Sequence, residues 1–524
     1  MSDTIWTSRV TPALLEELSR RVPLAEGSHP GQIAVDAPAS GQIIGHTPAC
    51  SVADLAHAFT LARKAQKQWE TVSLADRRRI FLRYHDLLLE QQETLLDLLQ
   101  IETGKARRHA LEEVLDVAIT CRHYALRLEN FLRPQRRNGA LPLLTRCREH
   151  HHPVGVVAVI APWNYPLSLA VSDAVPALMA GNAVILKPDS QTPFIALLAE
   201  KLLREAGMPA DLFQVVTGSG RELGETLISG CDFLCFTGST ATGRIVAAQA
   251  GQNLIKCSLE LGGKNPALVL DDADLERSVE GLLRGCFSNA GQLCVSFERL
   301  YLQSGIHDRF LAAFVRRIQA MHLGHDYSYT PEMGSLISAG QLTAVQRHLQ
   351  DALDKGAVLL AGGQHRPDIS PYFFEPTLLT GVTEEMALCR EETFGPVVAV
   401  YRFERVEDAV ALANDSEYGL NAAVWTGDIP LGEALAARLR CGTVNVNEAY
   451  AATWASVDSP MGGMKGSGMG RRHGIEGIMK YTESQTVATQ RLLPVAPPPG
   501  LDVGWYARIM TAALTLLRRI PGLG

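Results

Sequence analysis

The sequence has no Cys-x-x-Cys pair and no cysteine/histidine cluster at zinc spacing. That excludes zinc-ribbon, zinc-finger and dithiol redox readings, and no metal site is expected. Its ten cysteines, at 50, 121, 147, 231, 235, 257, 286, 294, 389 and 441, are scattered and read as reduced thiols of a cytoplasmic protein. It also lacks a dominant basic stripe, and the formal net charge is −7, so no nucleic-acid partner is expected. The opening residues, Met-Ser-Asp-Thr-Ile-Trp, carry no basic region followed by an apolar run, so no secretory signal is read there.

What is present is a long chain of ordinary globular composition. Its 524 residues exceed what one core serves, so two or three lobes are expected. Hydrophobic residues make up 46% and charged residues 20%, and 45 glycines suit an α/β fold with many tight turns.

Apolar residues recur at helical spacing over 52–70, 75–103 and 108–132, with Leu82, Leu87, Leu88, Leu95, Leu96, Leu98 and Leu99 in broad stripes. Strands are predicted at 154–160, 183–186, 212–216 and 232–236, with a helix at 193–206 and another after Thr237-Gly-Ser-Thr240. Strand alternating with helix at this rhythm predicts a doubly wound parallel sheet, with ligands beyond the carboxyl ends of its strands. The pattern restarts after Asn265, with strands at 267–270, 300–302, 397–401 and 442–446 and a helix at 274–288, and reads as a second α/β lobe. The alternating polar segment 481–489 reads as a strand that would expose an edge if isolated, and so is expected to pair with another subunit. Residues 494–499 read as a proline-rich linker. Residues 504–520 read as a helix with an aromatic start and a basic end, too short to span a bilayer, which needs about 20 apolar residues. Docking on protein is preferred for it over contact with a membrane surface.

Three segments carry chemistry. Phe287-Ser-Asn-Ala-Gly-Gln-Leu-Cys294 presents one cysteine after a small, polar run; Gly291 and Gln292 permit close backbone approach. The segment is expected to lead into a helix whose N–H groups would stabilise a thiolate. Leu259-Glu-Leu-Gly-Gly-Lys-Asn-Pro266 places Glu260 near an apolar strand end, where burial should raise its pKa and suit it to act as a base. Ala161-Pro-Trp-Asn-Tyr-Pro166 adds an amide donor, Asn164. A thiol nucleophile, a carboxylate base and an amide donor are the parts needed to oxidise an aldehyde through a thioester.

In this order and spacing the three resemble the NAD(P)-dependent aldehyde dehydrogenase superfamily, over roughly residues 30 to 490. The resemblance implies a Rossmann-type cofactor domain (1–132 and 154–263), a second α/β catalytic domain (264–479), an oligomerisation arm (133–153 and 480–493) and a tail (494–524). It implies a homodimer or homotetramer acting on a small aldehyde. Cys294 would attack the aldehyde carbon, Asn164 would stabilise the oxyanion, and Glu260 would activate the hydrolytic water. Branches that pass the acyl group to coenzyme A typically lack this glutamate, which favours hydrolysis. Pro162, Trp163, Lys187, Ser190, Gly220, Phe236, Gly238, Ser239, Leu261, Glu392 and Phe394 match cofactor-binding positions. Many NAD-preferring relatives have a glutamate where this chain has Ser190. Serine removes the charge that repels a 2′-phosphate, so NADP is favoured, with NAD tolerated.

Within the superfamily, Lys187-Pro-Asp-Ser-Gln-Thr-Pro193 looks most like a bacterial NADP-linked succinate-semialdehyde dehydrogenase branch. Well-studied members hold the substrate carboxylate with two arginines, and this chain has Ser172 and Ser288 at those positions. Ser296 replaces the family's redox-switch cysteine. The pocket residues implied are Tyr165, Ser168, Leu169, Ser172, Ser288, Leu293, Val295, Trp454 and Met461. Broad activity on aliphatic or aromatic aldehydes is the alternative. If a substrate carboxylate needs a cation, Arg299 and the Arg471-Arg472-His473 run are the candidates, the latter otherwise reading as a surface basic turn. A catalytically silent relative would be expected to lack one of Cys294, Glu260 and Asn164, and all three are present.

Overall fold

The computed structural model describes residues 5–140, 145–491 and 494–519. Residues 1–4, 141–144, 492–493 and 520–524, which fall in the first segment, the arm and the tail as divided from sequence, lie outside the described residues.

Two parallel sheets dominate. The first has six strands in the order Gly468–Met469, Lys256–Glu260, Phe233–Thr237, Val156–Ile160, Ala183–Lys187 and Phe213–Val215. The last five run parallel, and Gly468–Met469 is an antiparallel edge. Residues 468–469, which the sequence division assigns to the catalytic domain, pair at this edge with Leu259 and Glu260. The second sheet has seven strands: Val358–Ala361, Thr377–Thr380, Val397–Phe403, Phe297–Gln303, Asn265–Val269, Asn421–Trp425 and Thr443–Val446. All its pairings are parallel except the first. The central strands are continuous runs of Val, Ile, Leu and Ala because helices cover both faces, leaving no polar face to alternate with.

Several expectations need correction. The predicted helix 75–103 is two helices, Leu74–Glu90 and Gln92–Thr103, meeting at Gln91, whose φ −99° and ψ 15° leave the helical region. The first buries one face, whereas the second is buried without interruption from Leu95 to Thr103. One amphipathic period does not describe both environments. The strand predicted from Val154 begins at Val156, after Gly155. The strand Thr482–Gln490 does not wait for another subunit to find a partner. It pairs along its length with Thr145–Pro153 of its own chain, which in turn pairs with Gln135–Arg137.

The tail helix Val503–Leu517 forms, but none of its residues is buried. Docking on the protein's own body therefore does not account for its apolar side chains. Among the described residues, no helix is long and apolar enough to cross a membrane.

Candidate active site

The carboxyl ends of the first sheet face the segment between Phe287 and Phe297, and a cavity of about 250 Å³ opens between them. Its wall contains Asn164, Glu260 and Cys294, brought together from positions up to 130 residues apart in sequence. Leu169, Thr237, Gly262 and Gln341 complete the lining with Pro162, Trp163, Gly238, Ser239, Leu261, Glu392 and Phe394.

The loop carrying Cys294 is held in a costly conformation. Asn289, Ala290 and Gly291 have φ of 50°, 55° and 70°, a left-handed run that a non-glycine chain adopts only when its surroundings over-determine it. The restraints are visible. The backbone N–H of Asn289 donates to His109 Nδ1 at 3.1 Å, and its Nδ2 donates to the carbonyls of Asn164 (3.0 Å) and Gln292 (3.1 Å). Burial pushes His109 down to about 3, keeping the ring neutral so that Nδ1 can accept. Gln292, wholly buried, returns Nε2 to the Asn289 carbonyl at 2.9 Å and accepts from Ile337 N at 2.9 Å. A side chain at Gly291 would collide with the carbonyl oxygen of Gly395. The run Asn-Ala-Gly-Gln thus encodes a turn, and the helix expected to follow Cys294 is absent: a turn leads straight into the strand Phe297–Gln303. Desolvation and the carboxylates of Glu392 and Glu260 push the half-buried Cys294 thiol up to about 12.

Asn164 is fixed from the other side. The buried Lys105 ammonium sits 2.5 Å from Glu113 and donates to the Asn164 carbonyl at 2.6 Å, while Glu113 accepts from the N–H groups of Leu167 and Ser168 at 2.8 and 3.1 Å. Asn164 Nδ2 donates to the Gln292 carbonyl at 3.1 Å, which leaves its second amide hydrogen for the cavity. Neither Lys105 nor Glu113 was singled out from sequence; their spacing along the helix Arg107–Leu132 and its approach carries no chemical signature.

Glu260 ends the strand Lys256–Glu260. Burial raises its carboxyl to about 7, with Arg472 and Lys480 opposing the shift, and its Oε1 is buried with no hydrogen-bond partner. The raised pKa expected from sequence is therefore present, with desolvation as the cause. Glu392 is half-buried, and desolvation raises its carboxyl to about 8; it accepts from Gly263 N at 2.8 Å, and a side chain at Gly262 would strike it.

The sequence model of the aldehyde dehydrogenase family matches residues 25–487. The chain belongs to the aldehyde dehydrogenase family. It is 50% identical over 483 residues to a Mycolicibacterium smegmatis protein provisionally named as an NADP(+) succinate-semialdehyde dehydrogenase, covering 92% of this chain and 93% of the relative. It is 35% identical over 451 residues to the succinate semialdehyde dehydrogenase of Acinetobacter baylyi, covering 85% and 92% of the two chains. Among solved structures, an aldehyde dehydrogenase from Brucella melitensis biovar abortus superposes with TM-score 0.85 at 34% identity, covering 90% of this chain and 96% of that one. A Staphylococcus aureus betaine aldehyde dehydrogenase in complex with NAD+ gives 0.87 at 31%, covering 93% and 99%.

Of the remaining cofactor candidates of this aldehyde dehydrogenase, Ser239 lines the cavity, whereas Phe236, Lys187, Ser190 and Gly220 are not part of its lining. Ser239 caps the helix Thr240–Gln252, accepting from Thr242 N at 3.2 Å. Phe236 packs beneath Gly238 rather than facing the cavity. Lys187 ends its strand beside Ile160; its buried ammonium donates to the Pro188 carbonyl at 3.0 Å, and burial lowers its pKa. Ser190 Oγ makes only a long 3.4 Å contact with the Gly218 carbonyl, and Gly220 faces the Lys187 stem. Trp163 and Phe394 meet edge to face at 5.5 Å. An ammonium with spare donors, a half-buried glutamate, a capped helix start and aromatic walls fit a dinucleotide.

The pocket candidates behave unevenly. Leu169 lines the cavity. Leu293, Val295 and Met461 are buried but do not line it. Ser168 and Ser172 donate to Asp116 Oδ2 at 2.6 and 2.7 Å, and Trp454 Nε1 donates to Oδ1 of the same residue at 2.8 Å. Tyr165 and Tyr450 donate to Glu112 at 3.1 and 2.9 Å, and Tyr450 also reaches Ser288 at 2.9 Å. The proposed cations are spent elsewhere. Arg299 is buried and bonded to the carbonyls of Lys264, Leu412 and Ala413. Arg471 holds the carbonyls of Gly463 and Gly470. Arg472 is not on a surface turn: it is buried against Asp173 and the Leu169 carbonyl.

Proposed function

We propose that this aldehyde dehydrogenase takes succinate semialdehyde to succinate with NADP+ as preferred cofactor, through a thioester on Cys294. The observation that carries the reaction is the shared cavity of Cys294, Asn164 and Glu260. The Cys294 thiol gives its proton to solvent, its sulfur bonds to the carbonyl carbon, and the oxygen takes the electron pair of the C=O π bond. The free amide hydrogen of Asn164 and the N–H of Cys294 receive that oxyanion. When bound, the cofactor supplies the two-electron acceptor that turns the thiohemiacetal into a thioester. Glu260 then takes a proton from water as its oxygen attacks the thioester carbon, and the sulfur departs with the bonding pair.

The NADP+ preference is supported by the missing carboxylate at Ser190, three residues after Lys187, and by the provisional name of the mycolicibacterial relative. The substrate is supported by the relatives' names. A second reading, a preference for uncharged aldehydes, is favoured by a specific observation: Ser172 and Ser288 belong to networks centred on Asp116 and Glu112 rather than on a free cation. A substrate carboxylate without a cation loses several kcal/mol on burial. We assign the lobes the divisions implied by the sequence: 1–132 and 154–263 for the cofactor, 264–479 for catalysis, 133–153 and 480–493 for the arm. The outer edge of Thr482–Gln490 is the place we assign to a second copy in a homodimer or homotetramer, because a nine-residue edge invites pairing.

The deciding experiment measures kcat/KM for succinate semialdehyde and hexanal, each with NADP+ and NAD+, in wild type and Cys294→Ser. The expected result is turnover of both aldehydes, a high KM for succinate semialdehyde, faster use of NADP+, and loss of several orders of magnitude in the variant. Near-normal turnover in Cys294→Ser would overturn the mechanism. Micromolar KM for succinate semialdehyde with hexanal inert would overturn the second reading.

A further inference from the structure

The tail helix Val503–Leu517 has features that the body of the enzyme does not explain. It lies beyond residue 487, where the family match ends. Asp502 caps it by accepting from Trp505 N at 2.8 Å, so it is a properly started helix. From residue 503 onward the sequence holds three arginines and no acidic residue.

At about 100° per residue, Gly504, Arg508, Thr511, Thr515, Arg518 and Arg519 share one arc of roughly a third of the circumference. Everything else is apolar. Val503, Trp505, Ile509, Leu514 and Leu516 stand 66%, 55%, 43%, 64% and 61% exposed. Tyr506, Met510, Ala513 and Leu517 form the middle of that apolar face and are only half-buried. A protein groove covers a stripe; here apolar residues are exposed on both sides of the stripe.

We propose that this helix lies in the surface of an anionic lipid bilayer, attaching the enzyme to a membrane. Its 15 residues span about 22 Å, short of the ~30 Å hydrocarbon thickness, so it lies along the interface rather than across it. The broad apolar face enters the acyl boundary, Trp505 and Tyr506 sit at headgroup level, and the arginine arc meets lipid phosphates. Charge complementarity selects anionic lipid: Val503–Leu517 holds no carboxylate, and the one at its start, Asp502, is engaged in the cap, so its arginines gain from negative headgroups. This proposal stands apart from the substrate and cofactor readings.

The test uses the full chain and sedimentation with vesicles of phosphatidylcholine alone or containing phosphatidylglycerol. The expected result is binding to the anionic vesicles that weakens with salt, with a blue shift of tryptophan emission that Trp505→Phe removes. Leu514→Asp with Leu516→Asp should reduce the bound fraction at least about tenfold, and replacing Arg508, Arg518 and Arg519 by Gln should remove the preference for anionic lipid. Both variants should keep wild-type turnover, which also reports that the body is folded. Equal sedimentation of wild type and the Leu variant overturns the proposal, as does equal binding to neutral vesicles. So does an absence of vesicle binding with a change in native mass in the Leu variant, which would assign the helix to a second copy of this chain.

Discussion

Asn265 holds the backbone of Cys294: its Nδ2 donates to the Cys294 carbonyl at 2.7 Å. The same nitrogen donates to Ser296 O at 2.7 Å, and Asn265 Oδ1 accepts from Asn421 N at 2.9 Å. One side chain therefore ties the first strand of the second sheet to both sides of the proposed nucleophile. Asn265→Ala should leave two carbonyls and one N–H without their partner, at a cost of about 1–3 kcal/mol. A lower melting temperature is expected, with kcat reduced more than cofactor affinity. Unchanged kcat in a folded variant would show that the loop is positioned without Asn265.

Glu260 sets a pH dependence whose sign follows from its environment. Burial raises its carboxyl to about 7, so the basic form accumulates only as pH rises through that value. Steady turnover should climb between pH 6 and 8, about the raised pKa, if deacylation limits. Glu260→Gln should slow the steady rate more than the first burst of reduced cofactor. Equal loss in both phases would move Glu260 to activation of the thiol.

The same shift has a cost in stability. The folded state binds this proton more tightly than the unfolded chain, so the contribution to stability falls as pH rises from about 4.5 to about 7 and is lowest above that. Glu260→Gln should therefore stabilise the protein at pH 8, by up to about 3 kcal/mol, and by much less at pH 5. Melting temperatures at the two pH values check it. A variant less stable than wild type at pH 8 would mean that the carboxylate has a compensating partner.

Ser190 is expected to govern cofactor choice. Three residues after Lys187 in the chain, its hydroxyl is held only loosely, 3.4 Å from the Gly218 carbonyl. Ser190→Glu would place a carboxylate where a 2′-phosphate is expected and pair with Lys187 instead. NADP+ binding should weaken by about 1–3 kcal/mol, with NAD+ binding unchanged or improved. Titration of each cofactor in the absence of aldehyde reads this directly; an unaltered ratio would remove Ser190 from the site.

Local pattern made the sheets legible. Continuous β-branched runs such as Val156–Ile160 and Ala183–Lys187 are buried on both faces and advertise it in sequence. The three catalytic candidates were legible because each sits in a short motif at a strand end or turn. Their supports were not. Arg472 reads as a surface basic residue until Asp173, 299 positions earlier, is folded against it. Likewise, the small polar run before Cys294 does not distinguish a turn from a helix start. That distinction depends on His109, 180 positions away, accepting from Asn289. The strand Thr482–Gln490 was recognisable, but its partner inside the same chain lies more than 300 residues upstream, beyond any local pattern.

Asp116 offers the sharpest test of substrate charge. It receives Ser168, Ser172 and Trp454, and Ser172 lies one helical turn from Leu169, which lines the cavity of Cys294. A carboxylate there opposes an anionic substrate through a poorly solvated medium, where charges several Å apart interact by about 1–2 kcal/mol. Asp116→Asn keeps an oxygen for the hydroxyl and indole donors while removing the charge. The KM for succinate semialdehyde should fall by about 3- to 30-fold, with little change for hexanal. Equal effects on both aldehydes would mean that Asp116 only supports the helix Ser168–Met179. A rise in KM confined to succinate semialdehyde would mean that the substrate carboxylate meets a cation whose position depends on Asp116.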